Sequence, residues 1–173
     1  MNFVKATEKD FETLRDFYYD VIDNTPDIDK HAQWKKDIHP SAETLRKYLS
    51  QGAMYMLAED DDIYSVMALC AFQSEEYKTV PWTVNARENE VATIHILAVS
   101  PAHQGFGISE EMLYAAISSA RKAGKKALRL DTLKTNTPAQ AIYSSMGFKY
   151  VGSQNLYAEN TGWTDFLYYE YKL

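Results

Sequence analysis

Ala92-Thr93-Ile94-His95-Ile96-Leu97-Ala98-Val99 runs into Ser100-Pro101-Ala102-His103-Gln104-Gly105-Phe106-Gly107, and Ile108-Ser109 then opens a helical pattern. The first segment is β-branched or apolar apart from one histidine, as a buried strand requires. Beyond the turn, Ile108, Met112, Leu113, Ala116, Ile117 and Ala120 recur at helical spacing, and Gly124 supplies a stop. Strand, glycine turn and helix in that order make a device for anions. The first backbone N–H groups of a helix lack intrahelical partners, its dipole adds partial positive charge there, and glycine permits close approach. A Gly-x-Gly turn alone also serves as a plain connection, so its reading rests on what surrounds it.

Working outward, Phe3 to Ala6 reads as a short strand, and Thr7 with Asp10 opens a helix whose apolar stripe is Phe11, Leu14, Phe17, Tyr18 and Val21. Asp23 to His39 is a polar loop holding Pro26 and one large apolar residue, Trp34. A second helix begins at Pro40-Ser41, turns Leu45, Tyr48 and Leu49 inward and ends at Gly52. Ala53–Ala58 and Ile63–Phe72 are strands joined by Glu59-Asp60-Asp61-Asp62. That acidic run lacks the ligand alternation, mid-loop glycine and terminal glutamate of a calcium loop, so it reads as a hairpin turn. Gln73 to Glu90 is long enough to be functional or mobile and is expected to overhang a site. Ala127–Thr132 is a further strand, and Thr137 with Pro138 is expected to cap the next helix. Phe148–Val151 and Phe166–Tyr171 form a closing antiparallel pair through the Asn160-Thr161-Gly162 turn.

The chain of 173 residues is 46% hydrophobic and 24% charged, which suits one globular domain over residues 1–173. No repeat or low-complexity tract divides it. A net charge of −6 argues against nucleic acid as a partner. The one cysteine, Cys70, lies in an apolar run, so neither a disulfide framework nor a cysteine-rich metal site is expected. No apolar stretch has membrane-spanning length and the N-terminus lacks a signal-like apolar region, so a cytoplasmic protein without a membrane partner is expected.

Val99-Ser100-Pro101 followed by Gln104-x-x-Gly107-x-Ser109 resembles the acyl-CoA pyrophosphate signature of the Gcn5-related N-acetyltransferase (GNAT) superfamily. Ser109 stands where that signature carries glycine or alanine, and it is small enough to keep the backbone accessible. Asn136, Ala139, Tyr143, Gly147 and Phe148 reproduce the superfamily's Asn-x-x-Ala-x-x-x-Tyr-x-x-x-Gly-Phe pattern. The resemblance implies a single-domain α/β (α+β) fold: a mixed, mostly antiparallel twisted sheet of about six or seven strands flanked by about four helices. It implies an acyltransferase that moves acetyl from acetyl-CoA to a primary amine by direct attack, with no metal. The favoured acceptor is a small-molecule amine. A protein or peptide N-acetyltransferase and a non-catalytic acyl-CoA-binding regulatory module are the alternatives. The absence of Gly-Lys-Ser/Thr and of a three-glycine pattern sets aside nucleotide-binding readings.

By the same resemblance, backbone groups of Gln104, Gly105, Phe106, Gly107, Ile108 and Ser109 hold the pyrophosphate. Leu97, Ala98 and Val99 offer backbone to the acetyl and pantetheine amides where the central strand splays, and Asn136 serves the same arm or is a turn residue. Tyr143 stands at the position of a general acid, or simply packs. His95 is either a general base or a hydrogen-bonded core histidine, and strand alternation puts it on one face with Leu97 and Val99. Glu75, Glu76, Glu88 and Glu90 are further candidate bases. Trp34, Tyr77 and Trp82 form a candidate aromatic wall around a cationic acceptor, or lids over the core. A homodimer through the tyrosine-rich C-terminal strand, taken as an edge, is also implied.

Overall fold

A computed structural model describes residues 1–173. Seven strands form one sheet in the order β1-β2-β3-β4-β5-β7-β6. In chain order they are β1 (Asn2–Lys5), β2 (Met54–Glu59), β3 (Asp62–Cys70), β4 (Val91–Val99), β5 (Ala127–Leu133), β6 (Lys149–Ala158) and β7 (Gly162–Lys172). β4 and β5 run parallel and every other pair is antiparallel. The helices are α1 (Phe11–Asn24), α2 (Ala42–Ser50), α3 (Ile108–Lys122) and α4 (Thr137–Ser145).

The six periodic apolar residues of α3 are all buried. They meet Ala92, Ile94, Leu128 and Leu130 of the central strands on one face of the sheet, where α4 adds Tyr143. Burying one such side chain removes about 1.5–3 kcal/mol of apolar exposure, so this seam fixes α3 directly behind the glycine turn. On the other face α1 and α2 bring Leu14, Phe17, Tyr18, Leu45 and Leu49 against Val66, Ala68, Ile96 and Ala98. Thr7 and Asp10 form the expected capping box, with the Thr7 N–H donating to Asp10 Oδ2 at 2.7 Å. α2 is capped by Ser41, whose Oγ accepts from the Thr44 N–H at 3.1 Å.

Four expectations change here. The closing strands extend further than their apolar cores, to Lys149–Ala158 and Gly162–Lys172. The tyrosine-rich C-terminal strand is not an edge, because β7 lies between β5 and β6 and pairs with both; the open edges are β1 and β6. Asn136, rather than Thr137, caps α4. The 73–90 segment is held down rather than mobile. Glu170 Oε1 accepts from the Thr83 and Val84 N–H groups at 2.9 and 3.0 Å. Arg129 donates to Glu170 at 2.8 Å and to the Val84 carbonyl at 2.8 Å. Both charged side chains are at most 2% exposed.

Candidate active site

The sheet opens at its middle. β4 and β5 pair from Val91–Ala127 to Ile94–Leu130 and then part, while β4 continues along β3 to Val99 and β5 along β7 to Leu133. Beyond Ile94 no β5 backbone faces Leu97 or Val99. The divergence coincides with a β-bulge at which Ile96 adopts a left-handed φ of 48°. Its carbonyl leaves the ladder and accepts from the buried Tyr18 hydroxyl at 2.7 Å. A bulge adds one residue to one strand and so inverts the alternation of faces. Ile94 packs on the α3 side, but Ile96 and Ala98 pack on the α1–α2 side. The expected common face of His95, Leu97 and Val99 is therefore corrected: Leu97 and Val99 pack toward α3, whereas His95 stacks on Tyr48 of α2.

Below the splay lies the turn. Gly105 and Gly107 take φ values of 81° and 78°, and a Cβ built on either would meet nothing within 4 Å. Positive φ disfavours other residues here, and the open space leaves the backbone approachable. No backbone N–H from Gln104 to Glu110 meets a protein acceptor. Seven consecutive free donors running into a helix N-terminus are an arrangement able to receive an anion. Gln104 itself is occupied, its Nε2 donating to the Val99 carbonyl at 3.2 Å and to Thr25 Oγ1 at 2.8 Å. Phe106 is 78% exposed and Ile108 is buried in the α3 seam.

A cavity of about 370 Å³ runs from the splay toward α2. Its lining includes Leu97 of β4, Asn136 and Tyr143 from the start and body of α4, Lys47 and Tyr48 of α2, Phe72 and Glu76 from the segment after β3, and His95 and Asp131 of the two central strands. Asn136 Oδ1 accepts from the Ala139 N–H at 3.4 Å as the α4 cap, which leaves its amide nitrogen free. Tyr143 is buried against Phe148 and Tyr169, each 6.0 Å away between ring centroids. Its burial, reinforced by Asp131 and Tyr169, pushes the phenol well above its ordinary value and keeps it protonated.

His95 sits between the rings of Tyr48 and Tyr77, both 5.9 Å away, with Nε2 3.2 Å from Thr93 Oγ1. Burial lowers its pKa, against the raising pull of Asp131 and Glu76, with Lys47 lowering it further. The ring is therefore neutral near pH 7 and able to accept a proton. Burial also lowers His39, which lines the same cavity. Burial raises the Cys70 thiol to about 11, so it stays protonated.

Of the proposed aromatic wall, Trp34 lines the cavity. Tyr77 is buried with its hydroxyl on Asp131, and Trp82 lies 4.4 Å from the Arg129 guanidinium. Trp82 thus faces a cation of the protein itself, and the three do not form one wall. Among the glutamates, Glu76 lines the cavity. Glu75 and Glu88 pair with Lys78, and Glu90 is held near about 2 by Arg87 and Lys126. Asp131 escaped the sequence reading because it looks like a polar position on a half-exposed strand. Its signal was its place five residues before Asn136, at the end of the strand that borders the splay. No group of three or more His, Cys, Asp and Glu side chains is assembled to hold a metal ion.

The pattern of the Acetyltransferase (GNAT) family matches residues 11–148. The chain belongs to this family. It is 31% identical over 105 residues to the [ribosomal protein bS18]-alanine N-acetyltransferase of Haemophilus ducreyi, a match spanning 59% of this chain and 61% of that protein's length. The fold is similar to the crystal structure of the ribosomal-protein-alanine N-acetyltransferase from Brucella melitensis (TM-score 0.72, 18% identity, 100% of both chains). It also resembles yncA from Salmonella typhimurium, solved with its cofactor acetyl-CoA (TM-score 0.70, 18% identity, covering 100% of this chain and 94% of that one). No helix of this GNAT protein is long and apolar enough to cross a membrane.

Proposed function

We propose that this GNAT protein is a single-domain, cytoplasmic N-acetyltransferase that moves acetyl from acetyl-CoA to the primary amine of a small molecule. One observation carries the reading: a run of seven free N–H groups leads, past a splayed strand edge, into a cavity that holds Tyr143, His95 and Asp131. The residues present fit the cofactor. The Gln104–Ser109 turn would hold the pyrophosphate, the freed edge at Leu97, Ala98 and Val99 the amide-bearing arm, and Asn136 the same arm through its free amide nitrogen. Acetyl-CoA, when bound, supplies an activated acyl carbonyl.

The chain's own groups handle charge and protons. Asp131 and Glu76 attract the acceptor as an ammonium ion. Neutral His95 accepts the proton that the amine must lose before attack, directly or through water. The Val99 N–H, at an edge without a β5 partner, polarises the carbonyl. Tyr143, kept protonated, donates toward the departing thiolate. Packing of the α1–α2 loop and the 73–90 segment around the cavity limits water.

The first test is calorimetric titration of acetyl-CoA into the protein, with CoA and ATP beside it, followed by thioester consumption across a panel of amines. Binding of both CoA species but not ATP, with turnover of some amine, supports the reading; no binding of acetyl-CoA overturns it. A second reading, acetylation of a protein N-terminus, draws on the relative named for ribosomal protein alanine. A non-catalytic acyl-CoA sensor has less support, because His95 and Tyr143 line one cavity.

A further inference from the structure

We infer that the acceptor is a small amine carrying its own carboxylate, a free amino acid or close analogue, and that Lys47 anchors that carboxylate. The inference rests on the N-acetyltransferase reading and adds the class of acceptor.

Size comes from how the cavity is closed. The loop between α1 and α2 crosses the splay and is tied down on the far side. His31 Nδ1 lies 3.1 Å from the Thr135 carbonyl, and Thr135 Oγ1 donates to the His31 carbonyl at 2.9 Å. Asn160, 7% exposed in the β6–β7 turn, donates to the Gln33 carbonyl at 2.9 Å. Ala32, Trp34, Asn160 and Thr161 thereby wall off one exit. A volume of about 370 Å³, shared with the acyl arm, suits a small ligand better than a folded-out polypeptide.

Charge comes from the remaining mouth, between α2 and the segment after β3. Three charged groups line the cavity: Asp131, Glu76 and Lys47. Lys47 is the one cation among them, and it has no carboxylate within ion-pair reach, unlike Lys78, which pairs with Glu75 and Glu88. Asp131 is reached from His95 through Tyr77, whose ring lies 5.9 Å from the imidazole and whose hydroxyl donates to Asp131, whereas Lys47 enters the lining from α2. Two further groups that can donate line the same cavity. Gln51 follows Lys47 by one helical turn, and the Ser74 hydroxyl is buried without a partner. A buried polar atom left unpaired costs about 1–3 kcal/mol, which a ligand oxygen would relieve.

An α-amino acid satisfies both ends. Its ammonium meets Asp131 beside His95, and its carboxylate meets Lys47, Gln51 and Ser74. A diamine would set its second ammonium against Lys47. A peptide would place a neutral carbonyl there, leaving the lysine unanswered.

The test compares each amino acid with its own carboxamide, which keeps the amine and side chain and deletes the negative charge. A diamine and a hexapeptide complete the panel. The readouts are thioester consumption and, separately, calorimetric binding of each acceptor to the protein saturated with CoA. Preference for at least one acid over its amide by about tenfold or more in kcat/KM, with tighter binding of that acid, is expected. Lys47→Met should reduce that preference mainly through KM, and Lys47→Arg should restore most of it. Lys47 is exposed at the mouth, so the variants should keep the wild-type melting temperature. Amides, diamine or peptide used as well as acids, or a preference that Lys47→Met leaves intact, would overturn the inference while the transferase reading stands. Failure to bind acetyl-CoA would remove both.

Discussion

The two sides of the cavity are built by different means. The proposed acetyl-donor side is one continuous stretch, from the splayed β4 edge through Gly105 and Gly107 into α3, and the groups it offers are backbone N–H donors. The acceptor side is assembled from side chains that lie far apart in sequence: Trp34, Lys47, Tyr48, Glu76, Asp131 and Asn160. A backbone device depends on conformation and on the absence of bulk. A side-chain device depends on whether distant segments stay docked. The two sides should therefore fail in different ways.

The largest effect is expected where the acceptor side is stapled to the sheet. Arg129→Met leaves Glu170 charged in a site that is 1% exposed and cuts the tie to Val84. Removing one partner of such a pair costs about 3–5 kcal/mol. Denaturant unfolding should show that loss. Replacing both partners with apolar residues should return much of it; a single variant within 1 kcal/mol of wild type, roughly the worth of a surface pair, would mean that the 73–90 segment is docked by other means.

On the donor side, Gly107→Val should lower acetyl-CoA affinity about 100-fold, near 2.7 kcal/mol, for only about 1–2 kcal/mol of folding stability, the left-handed penalty of an L residue. Phe106→Ala, at a side chain that is 78% exposed, should change either quantity little. If Phe106→Ala weakened binding as much as Gly107→Val, the turn would owe its affinity to side chains, and the contrast between the two sides would fail. Tyr143→Phe should lower kcat by roughly 100-fold, within the range of general acid catalysis, while acetyl-CoA binding holds. Equal losses in both would mark a packing residue.

This division also governs what could be read from the chain beforehand. Glycine spacing, the apolar period of α3 and the caps at Thr7 and Ser41 are local, so they survive folding unchanged. The inverted face at His95 was not legible, because a β-bulge depends on the match between β3 and β4 and on the Tyr18 hydroxyl that collects the freed carbonyl. Which of its two readings, wall or lid, Trp82 would follow was not legible for a related reason. An exposed-looking tryptophan in a polar loop gives no hint that Arg129, in the middle of an apolar strand, will turn its guanidinium toward it. Asp131 was overlooked because its influence is exerted through space, on His39, His95, Tyr48, Tyr77, Tyr143 and Tyr168.

The smallest effect concerns that through-space coupling and is read from pH. Burial holds His95 and His39 below the ordinary histidine pKa of about 6.5. Between that value and their lowered folded values, the unfolded chain binds protons that the folded chain refuses, so stability must fall as pH drops below about 6.5. His95→Gln should remove its share of the loss and flatten the acid side of the stability curve. The same substitution separates base from spectator. If neutral His95 takes the amine proton, kcat/KM should fall along an acid limb below pH 6.5 that His95→Gln abolishes, together with a lower plateau. A limb that persists in the variant would pass the role to Asp131 or Glu76. Stability flattened without any change in the rate profile would make His95 a core residue whose neutrality only reflects the splay it lines.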